Sequence, residues 1–298
     1  MRRWILPFAM ALSACASPFA PPPTRDPFAG LDLAPPAETK GSPQRTYKSD
    51  VDEPDYRLKE RKDLYAVIVG IEHYEGLPNA DFAERDARAV RAHLFALGYP
   101  DRNVVLLTGR SAGRAAIEKY VESWLPEKVD ERSKVLVYFS GHGAPDVKTR
   151  SAYLLPWDGD PKYLANTAYP LKRLYRRLDA LKAKQVVVAL DACFSGAGGR
   201  SVIPKGTRPL VLKTDGASIG IGRVAVLAAS AGDEITGSEE SQGHGLFTYH
   251  FLRGLNERRT SLKDLHEFLT PFVRDAARAD NRDQTPQLLG RVKGVRLR

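Results

Sequence analysis

Five short runs of apolar and β-branched residues dominate the chain: Leu64–Ile71, Val104–Leu107, Val135–Phe139, Val186–Leu190 and Val224–Ala228. They are continuous rather than alternating, which is the pattern of strands covered on both faces. Amphipathic stretches lie between most of them, near Ala80–Leu97, Ala112–Leu125 and Leu171–Lys182, and two more follow near Leu246–Leu255 and Leu262–Ala279. Strand alternating with helix predicts an α/β domain with a mostly parallel central sheet between two layers of helices.

In such sheets function gathers at the carboxyl ends of the strands. Two of these ends carry reactive groups. The third run leads into Ser140-Gly141-His142-Gly143, and the fourth into Asp191-Ala192-Cys193-Phe194-Ser195-Gly196. A cysteine and a histidine that are distant in sequence and close in space are what nucleophilic thiol catalysis requires. The alternative for each residue alone is a buried small cysteine or a histidine in a turn. His73, His93, His250 and His266 read as structural or surface groups. His244 stands apart, in a glycine-rich loop before a helix.

The N-terminus has the order of a secretory signal: Arg2 and Arg3, an apolar run Trp4–Ala11, then Leu12-Ser13-Ala14-Cys15. The last four residues resemble a bacterial lipobox, which implies diacylation of Cys15 and a domain 1–15 that serves as a signal peptide. Ala16 rather than aspartate after the cysteine points to the outer membrane, with the protein facing the periplasm. Residues 16–60 are rich in proline and predict an extended tether, leaving 61–291 as the folded domain. The net charge is +9, but the arginines are scattered and no nucleic-acid motif accompanies them, so no nucleic-acid partner is expected. Cys15 and Cys193 are the two cysteines, and their contexts argue against a disulfide.

The segments Tyr138–Gly143 and Leu190–Gly196 resemble the caspase/metacaspase clan of cysteine peptidases, and most of all the bacterial caspase-like (orthocaspase) domains. The resemblance extends from about Leu64 to Leu289 and takes in Arg85-Asp86-Ala87, Tyr153–Asp158, Val226–Ser230, Gly245–Tyr249 and Gln284–Gln287. It implies the caspase-like three-layer α/β/α sandwich and a Cys/His dyad. Cys193 would be the nucleophile, His142 the acid/base, and the N–H groups of Gly143 and Cys193 the oxyanion hole. It also implies substrate specificity. Caspases that cleave after aspartate carry a glutamine two residues before the nucleophile, and this chain has Asp191 there. With Ser140 and Asp86, Asp191 matches the acidic metacaspase pocket that takes arginine or lysine. Arg85 departs from the asparagine common at its position and would neutralise the pocket if it turned inward.

The calcium site of many metacaspases looks incomplete here. Asp158 lies near one position, but Asn166–Leu174 has no paired aspartates and Arg200 stands where an acid is expected. No metal or other cofactor is therefore expected. Peptides with Arg or Lys at the cleavage site are the expected partners. The competing reading is a catalytically inactive caspase-like scaffold in the cell envelope. The segment Phe194–Arg223 reads as an exposed loop, with Arg200, Lys205, Arg208 and Lys213 as candidate self-cleavage positions.

Overall fold

The computed structural model describes residues 47–146, 148–149, 151–194, 222–232 and 234–298, all within the compact unit Thr46–Arg298. Cys15, Ser195, Gly196, Arg200, Lys205, Arg208 and Lys213 lie outside the described residues.

In chain order the elements are β1 (Leu64–Gly70), α1 (Ala83–Ala96), β2 (Val104–Thr108), α2 (Arg114–Glu118), a π-helical turn (Lys119–Trp124), α3 (Leu125–Lys128), β3 (Lys134–Ser140), β4 (Gly143–Asp146), β5 (Ser151–Leu154), α4 (Leu164–Thr167), β6 (Tyr169–Pro170), α5 (Leu171–Asp179), β7 (Gln185–Asp191), β8 (Ala225–Ala228), β9 (Ser238–Glu239), β10 (His244–Gly245), α6 (Leu246–Asn256), α7 (Leu262–Ala279) and β11 (Gln287–Gly290). Six of the strands form the central sheet, in the order β11-β8-β7-β3-β1-β2. All neighbours are parallel except β11, which runs antiparallel to β8.

The continuous apolar runs have a simple physical cause. Along β1, Val67, Val69 and Ile71 pack into one buried cluster, while Leu64, Ala66 and Ile68 pack into the other. The first cluster holds Ile117, Val121 and Leu125 with Leu174 and Leu178, so the α2–α3 stretch and α5 cover that face. The second holds Val90, Leu94, Phe247, Phe251, Leu265 and Val273, so α1, α6 and α7 cover the other. This is the three-layer caspase-like architecture with a mostly parallel sheet that the sequence predicts.

Three boundaries differ from the sequence expectation. The helix expected over Ala112–Leu125 is interrupted by the π-helical turn. Pro126 has no N–H to give the carbonyl of Glu122, so the turn ahead of it widens. The tether expected to residue 60 gives way earlier, because Val51 and Tyr56 are already buried and the Val51 carbonyl accepts from His93 Nε2 at 2.9 Å. At the other end the domain continues past 291, with Val295 and Leu297 buried.

Candidate active site

The three central strands end on one line. Gly70 of β1 pairs in register with Ser140 of β3, and Ser140 with Asp191 of β7. The residues that follow β3 and β7 are therefore delivered side by side at the same edge of the sheet.

Beyond β3 the chain turns at Gly141, with φ at 154°. A Cβ there would lie 2.6 Å from the Tyr74 hydroxyl, so only glycine fits. The His142 N–H donates to that hydroxyl at 2.7 Å, and the two rings pack with centroids 4.7 Å apart. Nε2 of His142 lies 2.8 Å from the Pro78 carbonyl oxygen. A carbonyl can only accept, so Nε2 carries the proton and Nδ1 is the basic nitrogen. At Gly143 an added Cβ would come within 2.3 Å of the Cys193 carbonyl oxygen and 2.7 Å of the Phe194 ring. The histidine and cysteine loops thus touch backbone to backbone, and a side chain at 143 would separate them.

Cys193 is wholly buried and His142 is 1 % exposed. The sulfur has two contacts with Thr236, the backbone N–H and the hydroxyl oxygen each at 2.8 Å.

The three residues matched to the specificity pocket are also buried. The Ser140 hydroxyl donates to Asp86 Oδ2 at 3.2 Å. Asp86 further accepts from the Gly245 N–H at 3.1 Å and lies 2.8 Å from His244 Nδ1. Asp191 Oδ2 accepts from the Thr248 hydroxyl at 2.7 Å. Because the Thr248 proton goes to Asp191, the Tyr138 hydroxyl donates to Thr248 Oγ1, at 2.6 Å. The structure therefore brings Asp86 and Asp191 to either side of Ser140, each held by internal donors.

Arg85 turns away from this group. It donates to Asp52 Oδ2 at 2.5 Å and to the Tyr47 carbonyl at 3.1 Å. Asp158 accepts from the backbone N–H of Arg114 at 3.0 Å, at the start of α2. Among the described residues no cluster of three His, Cys, Asp or Glu side chains could hold a metal ion. His93, His250 and His266 are packed or bonded to backbone, and His73 lies at the surface beside Glu84, as the sequence indicates. His244 is fully buried among the pocket residues.

Sequence reasoning missed Tyr74, the Pro78 carbonyl, Thr236 and Thr248. Tyr74 alone had a usable signal, an aromatic a few residues past the end of β1. A backbone carbonyl leaves no signal in a sequence.

A caspase-domain family model matches residues 63–292. Among solved structures, a Geobacter sulfurreducens protein aligns with a TM-score of 0.55 and 15% identity, covering 76% of this chain and 92% of its own. Caspase-1 from Spodoptera frugiperda aligns with a TM-score of 0.52 and 16% identity, covering 83% and 94%. At that identity the likeness speaks for the fold. No curated protein sequence matches the chain at a significant level.

Proposed function

The chain belongs to the caspase-domain family of cysteine peptidases, and from that premise we propose that it is an endopeptidase acting through Cys193 and His142, with preference for Arg or Lys before the cleaved bond. The observation that carries the reading is the Pro78 carbonyl on His142 Nε2, which leaves Nδ1 as the base on a loop touching the loop of Cys193.

In the proposed reaction the Cys193 proton passes to His142 Nδ1, and the thiolate attacks the scissile carbonyl to form a carbon–sulfur bond. The N–H groups of Gly143 and Cys193 receive the oxyanion, a role worth about 10²–10³ in rate per donor. Collapse breaks the carbon–nitrogen bond, and the leaving amine takes the proton from His142. Water then attacks the thioester, giving its proton to His142, and collapse returns the carboxylic product and the Cys193 thiol. Asp86, Ser140 and Asp191 are proposed to recognise the substrate cation. With Cys193 buried, substrate has to displace the Thr236 contact before the sulfur can reach a carbonyl.

Hydrolysis of Arg, Lys and Asp peptides by the purified protein, beside Cys193→Ala and His142→Ala, tests this. Wild type is expected to cleave Arg and Lys peptides and both variants to be inactive. Undiminished activity in Cys193→Ala would sink the protease reading. We further propose that Cys15 is diacylated and anchors the protein to the outer membrane, facing the periplasm. A mature intact mass without the lipid, beginning at another residue, counts against the anchor. Activity is expected to survive EGTA, and loss restored by calcium would show a metal site.

A further inference from the structure

Four side chains are linked by successive contacts that end at Asp86. Arg85 donates to Asp52 Oδ2 at 2.5 Å. Asp52 Oδ1 lies 3.2 Å from His244 Nε2, and His244 Nδ1 lies 2.8 Å from Asp86 Oδ1. Each ring nitrogen of His244 thus faces a carboxylate oxygen, and the ring can donate to both only when both nitrogens carry a proton. His244 and Asp86 are fully buried, while the side chain of Asp52 is 32% exposed. Asp52 lies ahead of residue 63, where the family match begins. It sits on a strap anchored by buried Val51 and by the edge-on packing of Tyr47 on Phe82 at 5.1 Å.

We propose that His244 is a specificity-determining residue and that Asp52, from outside the family domain, positions it. Their pairing sets how strongly Asp86 attracts a substrate cation. The proposal rests on the Arg/Lys reading of Asp86, Ser140 and Asp191. In the ligand-free protein His244 neutralises Asp86, and an incoming guanidinium meets a like charge across the carboxylate. The pocket is thereby tuned down, and the strap that follows the tether holds the setting.

Arg peptides and their citrulline counterparts, which keep the shape and lose the charge, separate electrostatics from fit. His244→Gln can still donate to Asp86 but carries no charge. It is expected to raise the Arg-over-citrulline ratio of kcat/KM about fivefold, through KM more than kcat. Asp52→Asn is expected to move the ratio the same way by about threefold, and to add nothing in the His244→Gln background if it acts through His244. An unchanged or lowered ratio in His244→Gln overturns the proposal, as does an Asp52→Asn effect that persists undiminished in the double variant. If His244→Gln does not fold, Asp52→Asn on the half-exposed strap must raise the ratio by itself, and no rise overturns the proposal. Failure of the underlying reading looks different: wild type would not prefer Arg to citrulline, and Asp86→Asn would leave the ratio untouched.

Discussion

The backbone N–H and the hydroxyl of Thr236 both sit 2.8 Å from the sulfur of Cys193. The segment that carries Thr236 is pinned nearby. Glu234 accepts from the N–H groups of Ala231 and Thr285, at 3.0 and 2.6 Å. The Gly237 N–H donates to Gln284 Oε1 at 2.9 Å, and Gln284 Nε2 donates to the Ala229 carbonyl. Cys193 is thus covered by a segment fastened to the loop ahead of β11.

Alkylation of Cys193 should therefore be limited by opening of this cover. Iodoacetamide labelling, followed by mass spectrometry of the Cys193 peptide, is expected to run at least about tenfold slower than for a free thiol. Glu234→Gln weakens two anchors of the segment without touching the sulfur, and is expected to speed labelling several-fold. Equal rates in the two proteins would show that the cover does not gate the thiol.

Tyr74 makes a separate case. Tyr74→Phe keeps the ring against His142 and removes the hydroxyl that takes the buried His142 N–H. An unsatisfied buried N–H costs about 1–3 kcal/mol. Thermal unfolding should shift downward, and kcat should fall about tenfold or more as the imidazole loses its orientation. Unchanged kcat with a lowered Tm would reduce Tyr74 to a purely structural role.

The central strands and both reactive loops were legible in the sequence for one reason. A strand buried on both faces must be apolar throughout, and polar residues at its end then stand out, as Ser140, His142, Asp191 and Cys193 do. The antiparallel edge strand β11 was not legible, since Gln287–Gly290 is short and only partly buried. The hairpin of β4 and β5 escaped for the same reason of length. Thr236 and Asp52 reach the site through contacts distant in sequence, which no local pattern encodes. His244 was visible only as an oddity in its loop, because Asp52 and Asp86, which flank its ring, are distant from it in sequence.

Acid should destabilise the domain through His250. Burial first, and then the nearby Arg253, push its pKa down from 6.5 to about 4. The ring lies stacked on Phe272 at 5.3 Å. The unfolded chain takes up this proton before the folded one does, so the contribution is fully present above about pH 6.5 and is lost as pH falls toward 4. Over that window the loss is about 3 kcal/mol. Urea midpoints measured from pH 7 to pH 4 should show it, and His250→Phe should flatten the curve. An identical pH slope in the variant would assign the acid sensitivity to other groups.

The last expectation concerns the chain between β7 and β8. If the protein is a peptidase for Arg and Lys sites, a basic, glycine-rich segment joined directly to the nucleophile loop is a substrate in its own right. Arg200, Lys205, Arg208 and Lys213 are the candidate positions. A cut there would leave β7 and β8 paired from Val187–Ala225 to Leu190–Ala228, so the two pieces would stay together in the sheet. Mass spectrometry of wild type beside Cys193→Ala should find the cut only in wild type, with Arg or Lys at the new C-terminus. The two fragments should co-elute under native conditions and separate in denaturant. Cleavage in both proteins would point to another protease, and an intact wild type that still hydrolyses Arg peptides would show that activity does not depend on the cut.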